Sequence, residues 1–179
     1  MNGQANVVEH QNLGSLVSTI AAFLDGRGAI STGDVAALRR MDPRHPDAAF
    51  FKIEGLVLDG HLPGDAELRA DLETRWAAIV AGLARLGSLH APGHRLGDVL
   101  ADLQYSEYRF ARLVRADADH LFDELPALAR FLSAKGAKID WTGAAQLMLS
   151  AGGPNEESVR RHLARDYYGS LARKASLSN

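Results

Sequence analysis

The sequence predicts an all-α protein, and three observations carry the prediction. Apolar residues recur at intervals of three and four through most of the chain. No segment sustains the apolar–polar alternation with β-branched enrichment that marks a strand. Proline, glycine and capping residues cut the chain into pieces of helical length. The expected architecture is a compact bundle of about eight or nine helices, as one domain or two small helical subdomains in close contact.

The first helix is expected from Leu13, because Leu16, Val17, Ile20, Phe23 and Leu24 follow at helical spacing before Asp25-Gly26-Arg27-Gly28 ends it. Residues 1–12 are polar and expected to be loose. Thr32 or Asp34 caps a second helix with Val35, Leu38 and Met41 inward. Pro43 and Pro46 break the chain. Asp47 caps a third helix, with Phe50, Phe51, Ile53, Leu56 and Val57 inward and Lys52 displaced from them. Asp65 opens the longest helix, on the stripe Leu68, Leu72, Trp76, Ile79, Val80, Leu83 and Leu86. Gly87 to Gly93 reads as a loop between an N-terminal half, 13–88, and a C-terminal half, 94–175.

Leu96, Val99, Leu100 and Leu103 predict a short helix. Gln104-Tyr105 then breaks the chain, and Ser106 caps the next helix. Past Ala116, the polar join at 117–119 leads to Leu121, Leu125, Leu128 and Leu132, with a helix restart at Pro126. Lys135-Gly136-Ala137-Lys138 ends that segment. Asp140 precedes a helix holding Trp141, Ala144, Ala145, Leu147 and Met148. Gly152-Gly153-Pro154 precedes the last helix, where Val159, Leu163, Tyr167 and Leu171 point inward. The tail, 176–179, is expected to be loose.

Composition narrows the function classes. The chain has 179 residues and no cysteine, so it has no disulfide, thiolate metal site or cysteine nucleophile. No apolar run approaches a membrane span, and the first residues carry no signal-peptide pattern, so a cytoplasmic protein without membrane association is expected. Twenty Lys and Arg face 22 Asp and Glu. A polyanion-binding surface must therefore come from segregation of charge rather than from excess.

Segregation is clearest in Ser106-Glu107-Tyr108-Arg109-Phe110-Ala111-Arg112-Leu113-Val114-Arg115-Ala116. With Arg109 at zero and about 100° per residue, Leu113, Phe110 and Val114 fall at about 40°, 100° and 140°, whereas Arg115 and Arg112 fall at about 240° and 300°. One face is apolar and the other carries three guanidinium groups. A charged helix face is often only a solvated one. Here the positions three and four away are mostly Tyr105, Ser106, Tyr108, Ala111 and Ala116, rather than the carboxylates that would pair with arginine. Arg112 reads as unpaired, Arg115 has Asp119 at i+4, and Arg109 can pair with a carboxylate distant in sequence. Tyr105 and Tyr108 suit either base stacking or packing between helices.

Enzyme motifs are missing. No phosphate-binding glycine loop ends in Lys-Ser or Lys-Thr, and Gly26-Arg27-Gly28 does not follow a strand. His90 and His94 have i, i+4 spacing, but Pro92 and Gly93 between them speak against a regular metal-binding face. His120 and His162 have no catalytic arrangement around them. No cofactor and no metal is expected.

Three blocks make the sequence resemble a known family: Leu96-Gly97-Asp98-Val99-Leu100-Ala101, the arginine segment 106–116, and Ile139-Asp140-Trp141. Gly33-Asp34-Val35-Ala36-Ala37-Leu38-Arg39-Arg40 and Ala49-Phe50-Phe51-Lys52 add weaker agreement. Together they resemble the CasB family, the small subunit of the type I-E CRISPR interference complex, Cascade, over about residues 13–172. The resemblance implies an all-α, non-catalytic protein for antiviral defence. It implies a second copy of itself, the backbone and large subunits, guide RNA and target DNA as partners. Its implied role is sequence-independent nucleic-acid binding that stabilises the R-loop. Carried over by position, the basic residues are Arg39, Arg40, Lys52, Arg109, Arg112 and Arg115, with Arg160 and Arg161 less securely placed. Where that family often has a basic linker before the last helix, this chain reads Gly152-Gly153-Pro154-Asn155-Glu156-Glu157. The alternative is a helical protein-interaction module whose arginine face meets acidic protein surface.

Overall fold

A 21-residue helix, α4 (Ala66–Leu86), is the axis of the molecule, and its residues 76–84 are buried throughout. The computed structural model describes the backbone of residues 2–27 and 29–177 and the side chains of residues 12–26 and 29–177. Among the described residues it has nine α-helices and no strand. These helices form one contiguous hydrophobic core, which includes Val17, Leu38, Phe50, Ile79, Leu100, Leu128, Trp141 and Tyr167. The all-α bundle is therefore as expected.

The first helix, α1, spans Asn2–Ala22 and the last, α9, spans Glu156–Leu177. The ends expected to be loose, 1–12 and 176–179, thus fall partly in helix, and Met1, Ser178 and Asn179 lie outside the described residues. After α1 the chain widens over Phe23–Arg27 and turns at Gly26, whose φ of 80° suits a residue without Cβ. Ser31 caps α2 (Thr32–Arg40). Its Oγ accepts from the Asp34 N–H, and the Asp34 carboxylate accepts from the Ser31 N–H, a reciprocal capping box. The cap is one residue before Thr32, the first expected candidate, and Asp34, the other, is its second half.

Asp47 caps α3 (Ala48–Ile53), which continues as a wider turn over Glu54–Leu58. That extra residue in the turn shifts the register. Leu58 is buried, whereas Phe51 and Leu56 are about half exposed, contrary to their expected inward placement. Leu68, in the first turn of α4, is exposed as well, because the core begins further along that helix.

The loop 87–94 is bonded to the segment before Trp141. The Ala91 N–H donates to the Ile139 carbonyl at 2.9 Å, and the Ile139 N–H to that of Leu89 at 2.9 Å. The two halves therefore share packing and loop bonds across the expected boundary. The short α5 (Leu96–Asp102) packs closely on α9, with Gly97 at the crossing. A Cβ there would lie 2.7 Å from the Tyr167 amide nitrogen and 2.8 Å from the Leu163 carbonyl oxygen. The break at Gln104, with φ of 55°, separates α5 from α6 (Glu107–Arg115).

Asp117 caps α7 (Ala118–Lys135), which runs unbroken through Pro126. The expected restart there does not occur. α8 (Thr142–Ser150) follows the buried Trp141, and α9 closes the bundle.

Candidate functional site

The arginine helix α6 is anchored on its apolar side and open on the other. Ser106 caps it, its Oγ accepting from the Arg109 N–H at 3.4 Å. Phe110 is 1 % exposed and stacks on Tyr167 of α9, with ring centroids 3.9 Å apart. The Tyr167 hydroxyl donates to the Tyr105 carbonyl, so Tyr105 and Tyr167 lock the entry to α6. At the other end the Arg160 guanidinium donates to the Ala116 carbonyl at 2.9 Å. Leu113 is fully buried. Tyr108, Arg109, Arg112 and Arg115 remain exposed on this supported element.

The structure sorts the expected basic residues into free and committed groups. The guanidinium groups of Arg40, Arg109 and Arg115 have no hydrogen-bonded or ion-paired partner among the described residues. The i+4 relation of Arg115 to Asp119 does not produce a pair, because the helix ends at Arg115 and α7 starts on a new axis. Arg112, read as unpaired, is a correction: its Nε lies 2.8 Å from Glu124 Oε1 on α7, with a second bond of 3.2 Å to Oε2. The sequence hides this fork because the partner lies across a helix break. Lys52 Nζ is 2.6 Å from Asp34 Oδ1, an ion pair that joins α3 to the cap of α2. Lys52 and Ser31 hold the Asp34 carboxyl at about 2.

Arg39 stays exposed but is anchored through Nε to the Ala84 carbonyl at 2.7 Å. Arg160 is largely withdrawn from solvent and pairs with Glu156, besides its bond to Ala116. Arg161 pairs with Glu157 at 2.7 Å in an exposed i, i+4 bridge. Both pairs arise from the acidic start of α9, at Glu156 and Glu157. Arg160 acts as a clasp at the end of α6, and Arg161 is an exposed but compensated charge.

Two further cations carry no signal in the sequence. Arg85, near the end of α4, and Arg130, on α7, line one open groove with Arg39, Ser88 and the Asp25 carboxylate. Burial, and then the like charge of Arg130, lowers the pKa of Arg85. No spacing rule joins residues on three different helices, so only packing reveals the group. Arg165 of α9 is another exposed arginine without a partner among the described residues.

The α6 face borders a groove of about 460 Å³ that includes His120, Asp117 and Glu124. His120 Nδ1 is 2.7 Å from Asp117 Oδ1, and this bond raises the histidine above its ordinary 6.5. The His120 N–H, and then its ring, lowers the Asp117 carboxyl. The sign follows from linkage. The raised histidine contributes stability below its unfolded value and loses it as pH rises through the folded value. The lowered carboxylate contributes above its unfolded value and loses it as pH falls through the folded value. In a proton NMR titration, His120 is expected to titrate above 6.5 in the native chain and to move toward it in Asp117→Asn.

His90 has a structural part. The Trp141 N–H donates to His90 Nδ1 at 3.2 Å, so Nε2 carries the proton and donates to Ser18 Oγ at 3.2 Å. Burial lowers the pKa of His90 and favours this neutral form. No group of three or more metal-ligating side chains occurs among the described residues. No described helix is long and apolar enough to cross a membrane.

No curated protein and no solved structure matches the chain. The family model described as CRISPR-associated protein Cse2 matches residues 34–168, a span that runs from the capping box of α2 to the Tyr167–Tyr168 pair of α9 and contains the whole of α6. With three quarters of its length inside that match, the chain belongs to the Cse2 family, the small subunit of type I-E Cascade, also called CasB.

Proposed function

We propose that this subunit binds nucleic acid without sequence preference through the exposed face of α6, and so stabilises the guide RNA–target DNA R-loop of Cascade in the cytoplasm. One observation carries the reading: Arg109 and Arg115 project from a helix anchored at both ends, with no carboxylate partner among the described residues. Free guanidinium groups on a fixed element neutralise phosphates and release counterions, a gain that ignores base sequence. Arg40, Arg39 and the Arg85–Arg130 groove extend the same capacity along the molecule. Lys52, Arg112, Arg160 and Arg161 contribute less, since each already faces a carboxylate.

The near balance of charges suits a subunit rather than a free binder. R-loop formation exchanges duplexes of similar stability, so a few backbone contacts tip it. Guide RNA, target DNA, the backbone and large subunits and a second copy of the chain are its partners in this reading. Held among them, two or three contacts act at high effective concentration. The role is that of a non-catalytic scaffold.

A photo-crosslinking residue at Ala111, between Tyr108 and Arg115, tests the assignment in the assembled complex. A target-dependent adduct that nuclease digestion removes is expected. Adducts to protein subunits alone would make the face a protein-docking surface and overturn the reading.

A further inference from the structure

Tyr108 is 78 % exposed, more than any other described aromatic side chain. Its hydroxyl has no hydrogen bond and its ring no aromatic or cationic contact among the described residues. Several other rings pack inside: Phe110 and Tyr167 stack, and Tyr105 meets Phe131 edge to face. Tyr108 also falls on the arginine face. On the same wheel it lies at about 260°, between Arg115 at about 240° and Arg112 at about 300°. Ala111, one turn on, and Ala116 beyond it line the same groove and are too short to cover the ring.

Charge in that groove is close to balanced. Arg112 and Arg115 share its lining with Glu124 and Asp117, where Arg112 pairs with Glu124 and Asp117 with His120. Within the groove phosphate attraction falls to Arg115, since Arg112 is already paired with Glu124. An exposed ring flanked by guanidinium groups offers a second source of binding, because every nucleobase has a π face and stacking tolerates any sequence.

We infer that Tyr108 is a stacking platform for an unpaired base, so that the α6 face takes a single-stranded segment rather than a closed duplex. This rests on the nucleic-acid reading of α6 and names the form of ligand that face prefers. In a duplex the base faces are covered by their neighbours, and only the phosphate contacts would remain. In a displaced or unpaired strand, a base can lie on Tyr108 while Arg115 and Arg109 meet the flanking phosphates.

The test compares two probes on the full-length chain at low salt: a single-stranded thymidine oligonucleotide and an abasic oligonucleotide of the same length. The native chain is expected to prefer the base-bearing strand by about 5- to 30-fold, the lower part of the range for base–aromatic stacking. Tyr108→Leu should abolish the preference, and Tyr108→Phe should keep it. In Tyr108→Trp the added indole fluorescence should be quenched by the base-bearing strand and not by the abasic one. Arg115→Glu should weaken both probes alike. Equal binding of the two probes by the native chain, or a preference that survives Tyr108→Leu, overturns the platform and leaves the arginine reading standing. Binding of neither probe removes the nucleic-acid reading, and the platform with it.

Discussion

Replacing Arg109 and Arg115 together with glutamate is expected to weaken target-duplex binding by the assembled complex by about 30-fold or more at physiological salt. The figure follows from counterion release: with a slope near −0.9 per phosphate contact, two contacts are worth about 30-fold at 0.15 M salt, before any repulsion from the new carboxylates. Neither side chain supports the fold through a partner among the described residues, so the variant should assemble normally. Lys52→Ala is the informative contrast. Its charge is already opposed by Asp34 at 2.6 Å, so its loss should change binding by less than about threefold. A binding assay on the three complexes reads both effects.

The second large effect is on stability. Trp141 is fully buried, and its Nε1–H donates to the Ile79 carbonyl at 3.1 Å. The ring lies against Gly82 of α4, where a Cβ would sit 2.3 Å from Trp141 Cζ2. Trp141→Ala should therefore open a cavity between α4 and α8 and cost about 3–5 kcal/mol. For a chain of this size, thermal unfolding should fall by roughly 10 °C. Gly82→Ala should destabilise the native chain but be tolerated in the Trp141→Ala background, where the space is free. Such coupling marks a direct contact. Below the lowered melting point, target binding should be retained, because the tryptophan lies away from the exposed face of α6.

Which parts of this arrangement were legible in the sequence depends on how far apart the interacting groups lie. The two faces of α6, its Ser106 cap and its break from α5 follow from residues within a turn or two of each other. Trp141 was readable as core because it begins an apolar stripe. The partners of the arginines were not readable. Glu124 lies 12 residues beyond Arg112 and across a helix break. The acceptors of Arg39 and Arg160 are the Ala84 and Ala116 carbonyls, and a backbone carbonyl leaves no mark in a sequence. Arg75 shows the same behaviour, donating to the Met148 and Ala151 carbonyls at the end of α8. In this bundle several arginines satisfy carbonyls that helix ends would otherwise leave open. The Arg39–Arg85–Arg130 groove was hidden for a related reason, since its members meet only when α2, α4 and α7 pack.

This sorting changes what the arginine helix means. Its three guanidinium groups are not equivalent: Arg112 ties α6 to α7, whereas Arg109 and Arg115 have no hydrogen-bonded or ion-paired partner among the described residues. Arg109, which can pair with a carboxylate distant in sequence, does not do so among the described residues. Arg160 closes the end of α6 through its bond to the Ala116 carbonyl.

The most direct measurement of the central claim is the salt dependence of target-duplex binding by the assembled complex, native against Arg109→Ala with Arg115→Ala. If these side chains neutralise phosphates, the slope of log affinity against log salt should become shallower by about two units. An unchanged slope in a normally assembled complex would contradict the assignment of the α6 face to nucleic acid.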